Sequence, residues 1–277
     1  MRVGVIGAGG AMGAEVCRAV DGVDGMELVA AVDPRFAGVP LGDVVGGGRA
    51  TGAGALVVGS DVTTLLAAGA EVAVDFTRRD AALTSLEHCA AAGVHAVVGT
   101  TGFTEEDLSD IRRWFAGPAA GTPNCVLAAN FAIGAVLMMR FAALAAPWFD
   151  GVEIVERHRG EKEDAPSGTA VQTAALVSAA RRDRGAAPFP PDATVTWAVE
   201  GARGGPGPGG VRLHSVRLPG SVAHQEVLFG SRGQTLTIRH DALDRVAFMD
   251  GVLLAIGSVA GRPGLTVGID TLLGLDP

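Results

Sequence analysis

The strongest constraint on the fold is a glycine-rich turn close to the start of the chain. The apolar run Val3 to Ile6 leads into Gly7-Ala8-Gly9-Gly10-Ala11-Met12-Gly13, and a helical pattern spans Gly10 to Val20. Glycines at 7, 10 and 13, with Gly9 between them, permit a tight turn and close packing of the following helix on the strand. A second apolar run, Leu28 to Val32, ends on Asp33, twenty residues beyond Gly13. Backbone N–H groups at the helix start attract a pyrophosphate, and an acid ending the second strand reaches a ribose hydroxyl. Together these features predict a dinucleotide site formed by Gly7, Ala8, Gly9, Gly10, Ala11, Met12 and Asp33. The competing reading is an ordinary strand-to-helix turn in a chain with 41 glycines. An acid at Asp33 favours NADH by repelling the 2′-phosphate of NADPH, and Arg35, two residues on, offsets part of that charge.

Short apolar strands continue to alternate with helical stretches. Glu71 to Phe76, His95 to Val98 and Val126 to Ala129 read as strands. Asp80 to Ala92 and Glu105 to Phe115 read as helices. Buried strands alternating with helices imply a parallel sheet covered on both faces. Ligands bind at the carboxyl ends of such strands. Gly99, Thr100 and Thr101 follow one strand, and Ala128, Ala129, Asn130 and Phe131 follow the next. Each group is either a cofactor contact or a simple turn. Between Phe36 and Gly59 the pattern lapses into a long connection with a Gly46–Gly48 triplet and some strand character near Ala55 to Val58.

The second half has a different rhythm. Ile133 to Ala146 is helical, Gly151 to Val155 a strand, and Gly168 to Arg182 helical. Arg203 to Gly210 is too rich in Gly and Pro for regular structure and reads as a loop. Three strand-like runs, Val211 to Leu218, His224 to Phe229 and Thr235 to His240, suggest an antiparallel sheet. A final apolar helix, roughly Ala247 to Val259, is expected to return to the first domain. The predicted class is α/β: an N-terminal Rossmann-like doubly wound parallel sheet, then a C-terminal α+β domain with an open mixed or antiparallel sheet.

The densest charge cluster, Glu156 to Asp164, runs into Pro166-Ser167-Gly168-Thr169. Ser167 can cap the next helix, leaving the Gly168 and Thr169 N–H groups to hold an anion. His158 can exchange a proton near neutral pH, and Lys162 can meet a developing negative charge. Spacing alone leaves a solvated structural loop as the alternative.

Cys17, Cys89 and Cys125 are odd in number and widely spaced, so neither a disulfide framework nor a metal site is expected. A net charge of -8 argues against a nucleic-acid footprint. The N-terminus enters a strand with no signal-peptide layout. The nearest thing to a membrane span, Ile133 to Trp148, is interrupted by Arg140 and Pro147. A cytoplasmic location without membrane partners is the expectation.

Several stretches carry a resemblance. They are the N-terminal glycine loop, Asp75-Phe76-Thr77, Gly99-Thr100-Thr101-Gly102-Phe103, Ala129-Asn130-Phe131-Ala132-Ile133-Gly134, and Lys162 followed by Asp164-Ala165-Pro166-Ser167-Gly168-Thr169-Ala170. Val222-Ala223-His224-Gln225-Glu226-Val227 and Ile238-Arg239-His240 add to them. Over nearly its whole length the chain resembles the 4-hydroxy-tetrahydrodipicolinate (dihydrodipicolinate) reductases, the actinobacterial ones most. The resemblance implies reduction of a cyclic, conjugated imine dicarboxylate by NADH or NADPH in diaminopimelate and lysine biosynthesis, usually by a homotetramer. It implies a dinucleotide-binding domain at 1–129, completed by 241–277, and a substrate-binding and tetramerisation domain at 130–240. By analogy His158 is the acid/base, Lys162 the second proton donor, and Lys162, Ser167, Gly168 and Thr169 hold the substrate carboxylates. The family pattern H-H-x-H-K stands here as His158-Arg159-Gly160-Glu161-Lys162. Arg159 replaces a substrate-contacting histidine and can still grip a carboxylate. Ala11 replaces a basic residue that contacts cofactor phosphate. These departures leave two alternatives: a paralogue acting on a different cyclic imine or related acid, and a non-catalytic dinucleotide-binding regulator.

Overall fold

The computed structural model describes residues 1–46, 55–117 and 122–275. Gly47 and Gly48 of the glycine triplet lie outside the described residues. The chain divides into two compact units, Met1–Phe131 with Phe248–Pro277, and Ala132–Ala247.

In the first unit, β1 (Arg2–Ile6), β2 (Glu27–Val32), β3 (Val72–Asp75), β4 (His95–Val98), β5 (Cys125–Leu127) and β11 (Leu265–Val267) form one sheet in the order β11-β5-β4-β3-β1-β2. Every neighbouring pair is parallel. Being covered on both faces, the strands are apolar along their middles rather than alternating: Val3, Val5, Val72, Val74, Val97 and Val98 are all buried. Helices α1 (Ala11–Asp21), α4 (Arg79–Ala91) and α5 (Glu105–Trp114) fill the crossovers. The strand order reverses between β1 and β3, and the carboxyl ends of those strands are where this architecture binds ligands.

The stretch after Asp33 has more structure than its composition suggests. It contains a 3₁₀ turn Pro34–Phe36 and the short helix α2 (Leu41–Val45), and is followed by α3 (Val62–Ala67), capped by Asp61. The strand character expected near Ala55 to Val58 is confined to isolated bridges, Pro40 with Val57 and Val32 with Gly59. The last helix, α8 (Met249–Ser258), and β11 belong to the first unit. Asn124 ties this return in place: its side-chain amide donates to the Val259 and Ala260 carbonyls at 3.0 Å each, and its oxygen accepts from Gly264 N at 3.1 Å.

The second unit is built on β6 (Gly151–His158), three residues longer than the sequence suggests. With β7 (Gly205–Pro206), β8 (Arg212–Arg217), β9 (Ala223–Ser231) and β10 (Gln234–Ala242) it forms a sheet in the order β10-β9-β6-β8-β7. Two expectations need correction. The last three runs do not form a consecutive antiparallel sheet, because β6 inserts between β8 and β9, antiparallel to β9 and parallel to β8. Nor is Arg203 to Gly210 wholly irregular: Gly205–Pro206 pairs with the edge of β8, where proline costs no ladder hydrogen bond on the outer side, and Pro208–Gly210 makes a 3₁₀ turn. Helices α6 (Ile133–Ala145) and α7 (Gly168–Asp183) pack on each other and on the sheet. Among the described residues no helix is long and apolar enough to cross a membrane.

Candidate active site

In the first unit the glycine loop has the shape its sequence requires. Gly7 has φ +83°, which favours glycine, and its N–H donates to Val32 O at 2.8 Å. A Cβ on Gly13 would stand 2.1 Å from the carbonyl oxygen of Gly7 and 2.7 Å from its carbon. Only glycine lets α1 approach β1 this closely. The N-cap of α1 is Gly10, with no side chain bonded to the first-turn N–H groups. A capless helix start on a glycine cradle fits the pyrophosphate of a dinucleotide.

Asp33 ends β2 with its side chain buried. Its Oδ2 accepts from Gly9 N at 3.0 Å and from Arg35 Nη2 at 2.8 Å. Its Oδ1 accepts from Arg35 N at 3.1 Å and Nε at 3.0 Å. The Arg35 hydrogen bonds hold this carboxyl below the usual range, against the burial that would raise it. Arg35 itself stays exposed, its guanidinium 5.4 Å from the Phe36 ring centroid. The acid expected to repel a 2′-phosphate therefore carries its own counter-charge.

Asp75, at the end of β3, links the loops after two neighbouring strands. Its Oδ1 accepts from Thr77 N at 2.9 Å, Thr77 Oγ1 at 2.7 Å and Thr100 Oγ1 at 3.1 Å. Burial pushes its carboxyl up, and Oδ2 has no partner among the described residues. Thr100 is thus held from below, while Thr101 is exposed beside it and Gly99 N donates to Asp75 O at 2.9 Å. Ala128 N donates to Val98 O at 3.0 Å, Ala129 is exposed, and the Phe131 ring lies 5.8 Å from that of Phe76. The sequence singled out the 99–101 and 128–131 turns but assigned Asp75 no role of its own.

In the second unit, the period of two along β6 sends Val152, Ile154, Glu156 and His158 to one face. The first three are buried, and Glu156 is fully inaccessible. The β6–β8 register sets Glu156 beside Ser215 and His158 beside Arg217. Arg217 reaches back to Glu156 with both terminal nitrogens, Nη1 to Oε2 and Nη2 to Oε1, each at 2.9 Å. Oε2 also lies 2.5 Å from His158 Nδ1 in a hydrogen bond, and Oε1 accepts from Ser167 N at 3.2 Å. Burial alone would raise the Glu156 carboxyl, but the hydrogen bonds from His158, Arg217 and Ser215 outweigh it and bring it down to about 2.

The same network holds both ends of the loop between β6 and α7. Arg217 Nη2 also donates to Asp164 O at 2.7 Å. Ser167 caps α7 as its sequence predicts, its hydroxyl accepting from Ala170 N at 3.2 Å, so Gly168 and Thr169 form the first turn. Within this loop Lys162 Nζ donates to Asp164 Oδ1 at 2.6 Å, and Lys162 N donates to Arg159 O at 3.2 Å. Arg159 and Glu161 are exposed. The structure thus gathers His158, Ser167 and the half-buried Arg217 on the buried Glu156, and ties Lys162 to Asp164, whose carbonyl Arg217 also holds. Arg217 carried no signal in the one-dimensional sequence. Glu156 did carry one, a carboxylate continuing an apolar alternation.

The model described as dihydrodipicolinate reductase, N-terminus, matches residues 1–131, and that described as dihydrodipicolinate reductase, C-terminus, matches residues 134–273. The chain is 48% identical over 276 residues to the 4-hydroxy-tetrahydrodipicolinate reductase of Nocardia farcinica, with 99% of each chain covered. It is 46% identical over 277 residues to that of Streptomyces avermitilis, covering 100% of this chain and 99% of the relative. A solved structure, the dipicolinate-bound dihydrodipicolinate reductase of Paenisporosarcina sp. TG-14, superposes with TM-score 0.79 at 37% identity, covering 98% of both chains. An amine dehydrogenase of Mycobacterium smegmatis, at TM-score 0.63 and 18% identity over 96% of this chain and 94% of the other, shares the fold alone. On both halves of its length, therefore, the chain belongs to the dihydrodipicolinate reductase family.

Proposed function

We propose that this protein reduces 4-hydroxy-tetrahydrodipicolinate to tetrahydrodipicolinate with NADH or NADPH, in the biosynthesis of diaminopimelate and lysine. The observation that carries the reading is the pairing of His158, backed by a buried carboxylate, with a lysine-bearing loop that ends in the Ser167-capped start of α7. The net change is uptake of one hydride and one proton and release of the 4-hydroxyl as water. The bound nicotinamide supplies the hydride.

The chain's own residues do the rest. Gly7, Ala8, Gly9, Gly10, Ala11 and Met12 hold the dinucleotide phosphates, Asp33 and Arg35 its adenosine end, and Gly99, Thr100, Thr101, Ala128, Ala129, Asn130 and Phe131 the nicotinamide side. The first-turn N–H groups of Gly168 and Thr169, with Ser167, take a substrate carboxylate. Arg159 takes the second carboxylate. Lys162, held by Asp164 Oδ1 at 2.6 Å, is the second proton donor. His158 is the acid/base. NADH serves at least as well as NADPH, because Asp33 stands at the ribose and Ala11 brings no cation. The reading includes a cytoplasmic location, where free NAD(P)H is held. It also includes a homotetramer, supported by apolar side chains left exposed on the second unit's strands, such as Val216 and Leu236.

The test supplies purified protein with NADH and enzymatically generated 4-hydroxy-tetrahydrodipicolinate. Rapid cofactor oxidation is expected, and Lys162→Ala should lower kcat by about 10²-fold while sparing cofactor affinity. Cofactor binding without turnover would overturn the assignment in favour of a paralogue or a regulator.

A further inference from the structure

We propose that Glu156 is a positioning residue for the reaction: it fixes His158 with Nδ1 protonated, so that Nε2 is the nitrogen that exchanges protons with the substrate. The inference rests on the acid/base role assigned to His158 above.

A carboxylate whose side chain is entirely buried is expensive unless it is fully hydrogen-bonded. Here an aliphatic residue would continue the Val152, Ile154 alternation at no such cost. Glu156 instead draws in five donor groups: His158 Nδ1, two nitrogens of Arg217, Ser167 N and the Ser215 hydroxyl. With its carboxyl held at about 2, it is ionised throughout the working pH range and can only accept. The His158 nitrogen that faces it at 2.5 Å must then carry a proton in both the neutral and the charged ring. That leaves Nε2 alone to take up or release one.

The bond also restrains the ring itself. Glu156 and His158 are two residues apart on one face of a strand, and Arg217, held beside His158 by the β8 register, closes the carboxylate's other side. Among the described residues, Arg217 and Ser215 from β8 and Ser167 at the start of α7 bond to Glu156, Gln225 is its β9 register partner, and Asp164 in the intervening loop bonds to Arg217 and to Lys162. The β9 partner of His158 is the apolar Ala223. Gln225 is itself engaged with Thr173 Oγ1 at 2.7 Å, so Glu156 is the anion against the imidazole.

The first measurement reads the wild-type protein. In protein labelled with ¹⁵N-histidine, long-range ¹H–¹⁵N correlation reads the tautomer of His158, assigned by its loss in His158→Ala. The neutral ring is expected to be protonated on Nδ1 with Nε2 bare. A neutral ring protonated on Nε2, or a mixture of tautomers, would overturn the inference.

The second measurement uses Glu156→Gln, whose amide can either donate or accept. It should give mixed tautomers, lower kcat by about 10²-fold and leave the dinucleotide Kd unchanged. In a His158→Ala background the same substitution should lower kcat by less than about threefold. A purely structural role would cost the same in either background, and that result would refute the proposal. His158→Ala with undiminished kcat but a locked wild-type tautomer would overturn the acid/base reading and spare the geometry. A crippled His158→Ala with mixed wild-type tautomers would do the reverse.

Discussion

The buried Glu156 makes a quantitative prediction about acid stability. In the unfolded chain its carboxyl titrates at the ordinary value of 4.5, and in the folded protein at about 2. A depressed carboxyl contributes stability that is present above its unfolded pKa and lost as pH falls through the folded value. The full contribution across that interval is about 3 kcal/mol. By pH 3.5 about 1.4 kcal/mol of it is gone, and nearly all of that loss falls below pH 5.5. Other depressed carboxyls, such as Asp107 at about 2, destabilise in the same window, so the wild-type curve alone cannot isolate Glu156. Glu156→Gln can, because the other carboxyls are common to both proteins. Urea unfolding between about pH 5.5 and 3.5 keeps the comparison below the ordinary histidine range. Trp148 and Trp197 report the second unit once Trp114, in the first, is replaced by phenylalanine. The stability gap between the two proteins should narrow by about 1.3 kcal/mol on acidification. Parallel curves would mean that Glu156 is not the ionised anchor described above.

Three further outcomes follow from other parts of the molecule. Gly13→Ala forces a Cβ to within 2.1 Å of the Gly7 carbonyl oxygen, so it should cost about 1–3 kcal/mol in thermal or urea unfolding and weaken NADH binding; an unchanged Tm and Kd would contradict the close approach of α1. Arg35→Ala strips Asp33 of its guanidinium partner, and the ratio of kcat/KM for NADPH to that for NADH should fall about tenfold. A ratio that stays put would remove Arg35 from cofactor selection. Burial pushes the Cys17 and Cys89 thiols up to about 12, and raises Cys125 as well. A thiol reagent at mildly alkaline pH should leave the native protein unlabelled and modify all three cysteines in urea, whereas rapid labelling of the native protein would show these sites to be open.

The elements of the first unit were legible because each signal is local. Apolar strands, helical periodicity and a glycine turn act over a few residues, and the strands His95–Val98 and Arg2–Ile6 lie within a residue of their predicted bounds. Short elements were harder to read: α3 spans six residues and β11 three, too few for periodicity to separate them from a connection. Ser167 was readable as a cap for the same local reason that strands were, since its partner Ala170 is three residues away. By itself, then, the sequence determined the parallel dinucleotide fold, the Ser167-capped start of α7 and the pairing of a histidine with a lysine ahead of it. Only the tertiary structure decided that β6 lies between β8 and β9. That placement brings Arg217, sixty-one residues on, against Glu156. The physical reason is register: strand pairing sets which distant side chains share a face, and no spacing along the chain encodes it.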